Sequence, residues 1–177
     1  MRSISVFLFL AFCTLIVGAI GIDALLHRLG LAWVGRYGGM AGASLILGSF
    51  SYSLRKRNIV SWGSLQSHLK WHEAAAWSGS LLILVHGGIH FSALLPWYAL
   101  LAMIVSNASG LTGKLLLNHS QKGLSNPGPV GENETLRHSL TYKLMKRWRL
   151  VHLPITVVFG MLSFLHILTV LIFWNWR

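Results

Sequence analysis

At 177 residues the chain is long enough for one domain, yet charged residues make up only 11% and residues of the AVILMFWYC set 54%. A soluble domain carries about 25% charged residues. With Asp23, Glu73, Glu132 and Glu134 as its only acids and a mean hydropathy of +0.59, the composition points to an integral membrane protein built of helices. Outer-membrane strands need alternating segments of about ten residues, and disordered chains need low hydrophobicity; neither pattern is present. The net charge of +11 is read as Lys and Arg gathered in cytoplasmic loops rather than as a nucleic-acid surface. A single Cys13 excludes a disulfide framework, a Cys-ligated iron–sulfur cluster and covalent CxxCH haem attachment.

A membrane-crossing helix needs about 20 mostly apolar residues. Five stretches qualify, at about 4–25, 37–54, 70–91, 95–117 and 148–174. The expected fold is therefore all-α, a single transmembrane domain of about five helices over residues 1–177. The first stretch is read as an uncleaved helix, because Arg2 is its only leading charge and no A-x-A site follows. The second is followed by Arg55, Lys56 and Arg57, and Lys70 opens the third. The fourth follows a tight connection near Pro96. A long polar connector, about 118–141, then holds the turn sequence Asn126-Pro127-Gly128-Pro129. Pro154 falls near the start of the fifth stretch, as a loosening element or a first-turn residue.

Loop charge sets the expected topology. Lys114, Lys122, Arg137, Lys143, Lys146, Arg147 and Arg149 surround the connector between the fourth and fifth stretches, whereas no Lys or Arg lies between the third and fourth. The positive-inside rule then predicts a cytoplasmic N-terminus and an outer C-terminus. Trp97, Tyr98, Trp174 and Trp176 fall at the outer interface, where aromatic belts form.

Nine histidines stand out in so apolar a chain. His72 and His86 lie 14 residues apart on the third stretch, and His152 and His166 lie 14 apart on the fifth. Fourteen residues come to nearly four turns, so each pair shares a face with its members about 21 Å apart along the axis. The two stretches are separated by one crossing and run parallel, which sets His72 level with His152 and His86 level with His166. Ionisable side chains inside a bilayer are costly and functional by default. Two parallel helices with imidazoles at two matched depths suit two stacked b-type haems, each iron taking one imidazole from each helix. Gly79 is midway between His72 and His86, where a porphyrin edge can approach the backbone; Phe159 holds the matching place on the fifth stretch. Arg149 and Lys70 lie near the inner pair and can meet haem propionates, although both also read as flanking loop charge. His90 is an alternative to His86, and His68 a similar ambiguity beside His72. His27, His119 and His138 read as solvated loop residues. The plainer alternative is that the histidines only bond between helices. A zinc or copper site fits less well, because no Cys, Asp or Glu joins the cluster at both depths.

The motifs Tyr52-Ser-Leu-Arg-Lys-Arg57, His72-Glu73, Ser109-Gly-Leu-Thr-Gly113 and Trp148-Arg-Leu-Val-His152-Leu-Pro154 resemble small bacterial diheme membrane cytochromes b. The histidine pairs also resemble those of the ferric reductase-like transmembrane domain and of respiratory cytochrome b. The resemblance covers roughly residues 37–175. It implies an electron-transfer subunit of an oxidoreductase complex in the bacterial inner membrane rather than a complete enzyme. Such a subunit would pass electrons across the bilayer between a quinone or cytoplasmic donor and a redox partner: an iron–sulfur, multihaem or flavoprotein subunit. Membrane lipid and a quinone are its expected small partners. The chain departs from these families in having five stretches where ferric reductases have six. It also has no flavin- or nicotinamide-binding domain and no Pro-Glu-Trp-Tyr quinol motif. The alternatives are the transmembrane part of a metal reductase served by a separate flavoprotein, and a haem-free anchor subunit.

Overall fold

The computed structural model describes residues 2–88, 93–124 and 132–173; side chains at 2–5, 116, 117, 119–124 and 132–142 are not described. The described residues are helical almost throughout: α1 (Arg2–Arg28), α2 (Ala32–Ser49), α3 (Ser51–Lys56), α4 (Leu65–Gly87), α5 (Leu94–Leu124) and α6 (Glu132–Phe173). They form two compact units, one of residues 9–92 and one of residues 1–8 with 93–177.

Among the described residues, three helices are long and apolar enough to cross a membrane, over Val6–Arg28, Leu94–Leu115 and Lys143–Phe173. Only 6% of the most apolar stretch in Lys143–Phe173 is buried within the protein. Leu150, Val151, Leu153, Val157, Phe164 and Leu165 are all exposed on it. A helix apolar all round with its side chains bare needs lipid or another chain as its solvent. The expected second and third stretches coincide with α2 and α4, which are less apolar. Five glycines and Arg36 dilute α2, while His68, Lys70, His72, Glu73 and His86 dilute α4.

Helix ends differ from the expected ones for identifiable reasons. The second stretch was expected to run from Tyr37 to Leu54. Instead α2 stops at Ser49, Phe50 joins it to the short α3, and Phe50 N–H bonds Leu47 O at 3.0 Å in a tightened last turn. Ser49 Oγ donates to Ile46 O at 2.6 Å, a back-bond of the kind that bends helices. Arg55 then closes the following loop, donating from Nε to Gly63 O (3.0 Å) and from Nη1 to Val60 O (3.3 Å). Asn58 and Gly63 make the turns there at φ of 57° and 74°.

The third helix begins at Leu65 rather than Lys70, because Ser64 caps it: Ser64 Oγ accepts from Ser67 N–H at 3.0 Å. It ends at Gly87, with Gly88 at φ 50°. The expected connector over 118–141 is largely helical: α5 continues to Leu124 and α6 begins at Glu132. The Asn126–Pro129 turn sequence lies outside the described residues. Pro154 therefore sits deep inside α6, not in its first turn.

In the first unit α2 and α4 meet backbone to backbone. A Cβ on Gly42 would lie 2.7 Å from Gly79 O, and one on Gly79 would lie 2.9 Å from Gly42 O. Small residues at a helix crossing let the two backbones approach this closely. Phe12 of α1 packs on Trp77 with ring centroids 5.7 Å apart. In the second unit α5 and α6 are joined by Ser106 Oγ and Thr156 Oγ1, 3.0 Å apart. Because Thr156 gives its proton to His152 O (2.9 Å), Ser106 is the donor of the pair.

Candidate functional site

Two of the four expected haem ligands lie on α4 in the first unit and two on α6 in the second, and each pair is anchored differently.

On α4, His72 Nδ1 donates to Ser49 O at 3.1 Å, and His86 Nδ1 to Gly35 O at 3.3 Å. A carbonyl only accepts, so Nδ1 is the donor in both rings, which leaves Nε2 to carry the lone pair of a neutral imidazole. The two acceptors stand at opposite ends of α2. Ser49 O lies where α2 breaks into α3, beside Gly48 O, which Trp71 Nε1 fills at 3.2 Å. The break exposes carbonyls, and adjacent α4 side chains take them. Tyr52 flanks His72, with ring centroids 5.7 Å apart. At the other end Gly39 makes room for His86: a Cβ there would sit 2.5 Å from the imidazole Cγ.

Gly79, Ala75 and Ser80 are buried between the two histidines. The bare side of Gly79, expected to admit a porphyrin edge, faces Gly42 O and Ile46. The face of α4 that carries His72, Gly79 and His86 is thus turned to α2.

On α6, His152 stacks on Trp148 one turn earlier, with centroids 4.9 Å apart and planes 15° from parallel. Trp148 Nε1 in turn donates to Ser109 O at 2.8 Å. Gly113 leaves the space for the indole, since a Cβ there would overlap Trp148, and His152 Cε1 would lie 3.6 Å from a Cβ on Gly110. The motif Ser109-Gly-Leu-Thr-Gly113 is therefore a seat for Trp148 and His152. His166 is half-buried further along α6, and its carbonyl accepts from Thr169 Oγ1 at 2.8 Å. Phe159 is buried. Arg149 and Lys70 are exposed.

The remaining histidines divide. His68 is 4% exposed; its Nδ1 donates to Ser64 O at 3.1 Å and Trp62 leans on it at 4.9 Å. His27, exposed on α1, approaches Asp23 Oδ1 at 3.3 Å, so it is paired within its own helix. His90, Trp174 and Trp176 lie outside the described residues, as do the side chains of His119 and His138.

The sequence reading missed Gly35, Gly39, Gly42 and Ser49, the α2 positions that hold α4. The spacing Gly35-x3-Gly39-x2-Gly42 was their available signal, a small-residue stripe of the kind found at helix crossings in membranes. Among the described residues no group of three or more His, Cys, Asp or Glu side chains could hold a metal ion.

Together these features define an all-helical protein with several long apolar helices, consistent with a membrane protein. No protein-family model, curated protein or solved structure matches the chain.

Proposed function

We propose that the chain is a membrane-embedded helical subunit of an oxidoreductase complex, either a haem-free anchor, the reading the described residues favour, or an electron-transfer diheme cytochrome b with His72 and His152 as ligands at an inner site and His86 and His166 at an outer one. The observation that supports the cytochrome reading is the pair of Nδ1–H···O=C bonds to Ser49 and Gly35. An imidazole that ligates a metal through Nε2 donates its other N–H to a carbonyl or carboxylate, which fixes the tautomer and raises the basicity of the ligating nitrogen. Both α4 histidines make a bond of that kind, which is what supports the cytochrome reading. Haem would supply the one-electron chemistry. The chain's own residues orient the rings: Ser49 and Gly35 by hydrogen bonds, Gly39 by leaving space, Trp148 by stacking. Arg149, on the same helix as His152, suits a propionate. In this reading α2 and α4 also cross the bilayer, the basic segments lie in the cytoplasm and the C-terminus lies outside. A quinone or cytoplasmic donor and a redox partner subunit complete the path.

The haem-free anchor is the better supported of the two: among the described residues no group of three or more His, Cys, Asp or Glu side chains is gathered to hold a metal ion. The histidine-bearing face of α4 is already occupied by α2, and hydrogen bonds to Ser49 and Gly35 serve equally to tie two helices together. A pyridine haemochrome assay on purified protein separates the two. The cytochrome reading expects about two haems per chain, falling to about one in Gly39→Ala, where the new methyl displaces His86. Less than one haem in well-folded protein leaves the anchor reading standing. The metal-reductase alternative shares the haem content and differs in requiring a separate flavoprotein for turnover.

A further inference from the structure

Between α5 and α6 lies an open groove of about 340 Å³, lined by Ser109, Thr112, Leu144, Arg147, Trp148 and Val151. That volume falls within the range of about 300–1,000 Å³ typical of small-ligand sites. We propose that this groove binds an anionic phospholipid, its phosphate on Arg147 and an acyl chain along Leu144, Trp148 and Val151.

The chemistry of the lining selects that ligand. Trp148 spends its N–H on Ser109 O (2.8 Å) and Thr112 its proton on Ala108 O (2.8 Å). The indole therefore offers an apolar face, and Thr112 only an acceptor. Among the described residues Arg147 is the one charged group in the wall, and its planar fork of donors matches a phosphate oxygen pair. Leu144 and Val151 are 47% and 58% exposed, as side chains meeting lipid would be. Arg147 stands near the start of the apolar stretch Lys143–Phe173, the end of a span where a headgroup would be met.

Charge selects among phospholipids. Lys143, Lys146, Arg147 and Arg149 lie within seven residues, and no Asp or Glu occurs in α5 or from residue 135 onward. A zwitterionic headgroup would bring a further cation against this cluster, while a net-negative one relieves it. A free phosphate would leave the apolar wall bare.

The test uses delipidated full-length protein in neutral detergent, titrated with radiolabelled phosphatidylglycerol or phosphatidylcholine, with lipid retained on the protein as the readout. Phosphatidylglycerol should be retained preferentially. Arg147→Gln should weaken its binding by about tenfold or more, as loss of charge-assisted hydrogen bonds does. Lys146→Gln, on the opposite side of α6, removes the same charge and should cost about fivefold or less, the share of general attraction. Ser109→Leu keeps every charge but fills the groove, and should also weaken binding by about tenfold; circular dichroism confirms that each variant is folded. Equal losses in Arg147→Gln and Lys146→Gln with no loss in Ser109→Leu would overturn the site in favour of diffuse surface charge. Equal retention of both lipids would overturn it as well. So would full displacement by millimolar inorganic phosphate, which would indicate a simple anion site.

Discussion

The two units hold their histidines by different physics. On α4 the rings are pinned by hydrogen bonds to backbone carbonyls of a glycine-rich neighbour, and the helices touch at Gly42 and Gly79. On α6 the ring of His152 is held by stacking on an indole that a glycine admits and a carbonyl steers. Backbone atoms cannot move without moving a helix, whereas an indole can rotate. The first arrangement sets ring position through the spacing of whole helices; the second sets it through one side chain. Membrane helices have little hydrophobic drive to pack against each other, and both solutions substitute close approach for it.

The same substitution in each unit is the most direct way to break this contrast. Alanine is the better helix former by about 1 kcal/mol, so helix propensity alone favours Gly→Ala in both places and sterics decides the sign. In Gly42→Ala the methyl meets Gly79 O and the Ile83 backbone, and the helices must part. The expected loss is about 3 kcal/mol, the top of the overpacking range, read as a lowered thermal midpoint in detergent. In Gly113→Ala the nearest atoms the methyl meets all belong to the Trp148 indole, a side chain that can swing aside at the cost of its bond to Ser109. About 1–2 kcal/mol is expected, together with altered tryptophan fluorescence. Equal losses at both positions would erase the distinction between backbone and side-chain anchoring. Thr156→Val sharpens it from the other side, removing the bond with Ser106 while keeping the shape. Interhelical hydrogen bonds of this kind average about 0.6 kcal/mol in membranes, so its midpoint should barely move.

The sequence exposed the helices more readily than their contacts. Apolar stretches marked where every long helix lies, because lipid demands them, but hydropathy reports the bilayer and not the helix. That is why the connector was drawn too long: α6 begins at Glu132 with the polar run Glu-Asn-Glu-Thr-Leu-Arg-His, which forms helix without being apolar. The break after Ser49 left no mark in hydropathy, since Phe50 and Leu54 continue the apolar pattern across it. On α4 the 14-residue spacing did set His72 and His86 on one face, the one that meets α2. What periodicity could not reveal was the neighbour that face meets, and Gly79 proved to be a helix contact. The motif around Ser109–Gly113 was visible as a pattern, yet its physical purpose became clear only when Trp148 was seen lying in it.

The Gly42–Gly79 contact also has a mechanical consequence. His72 and His86 stand seven residues to either side of Gly79, about 10 Å along the helix in each direction. A crossing fixed at its middle acts as a fulcrum. A tilt of α4 by about 5° about that point would carry one ring roughly 1 Å toward its carbonyl partner's end of α2 and the other roughly 1 Å the opposite way. Shifts of that size span the difference between a sound hydrogen bond and none. The two imidazoles are therefore geared together: a displacement of one is felt by the other with reversed sign.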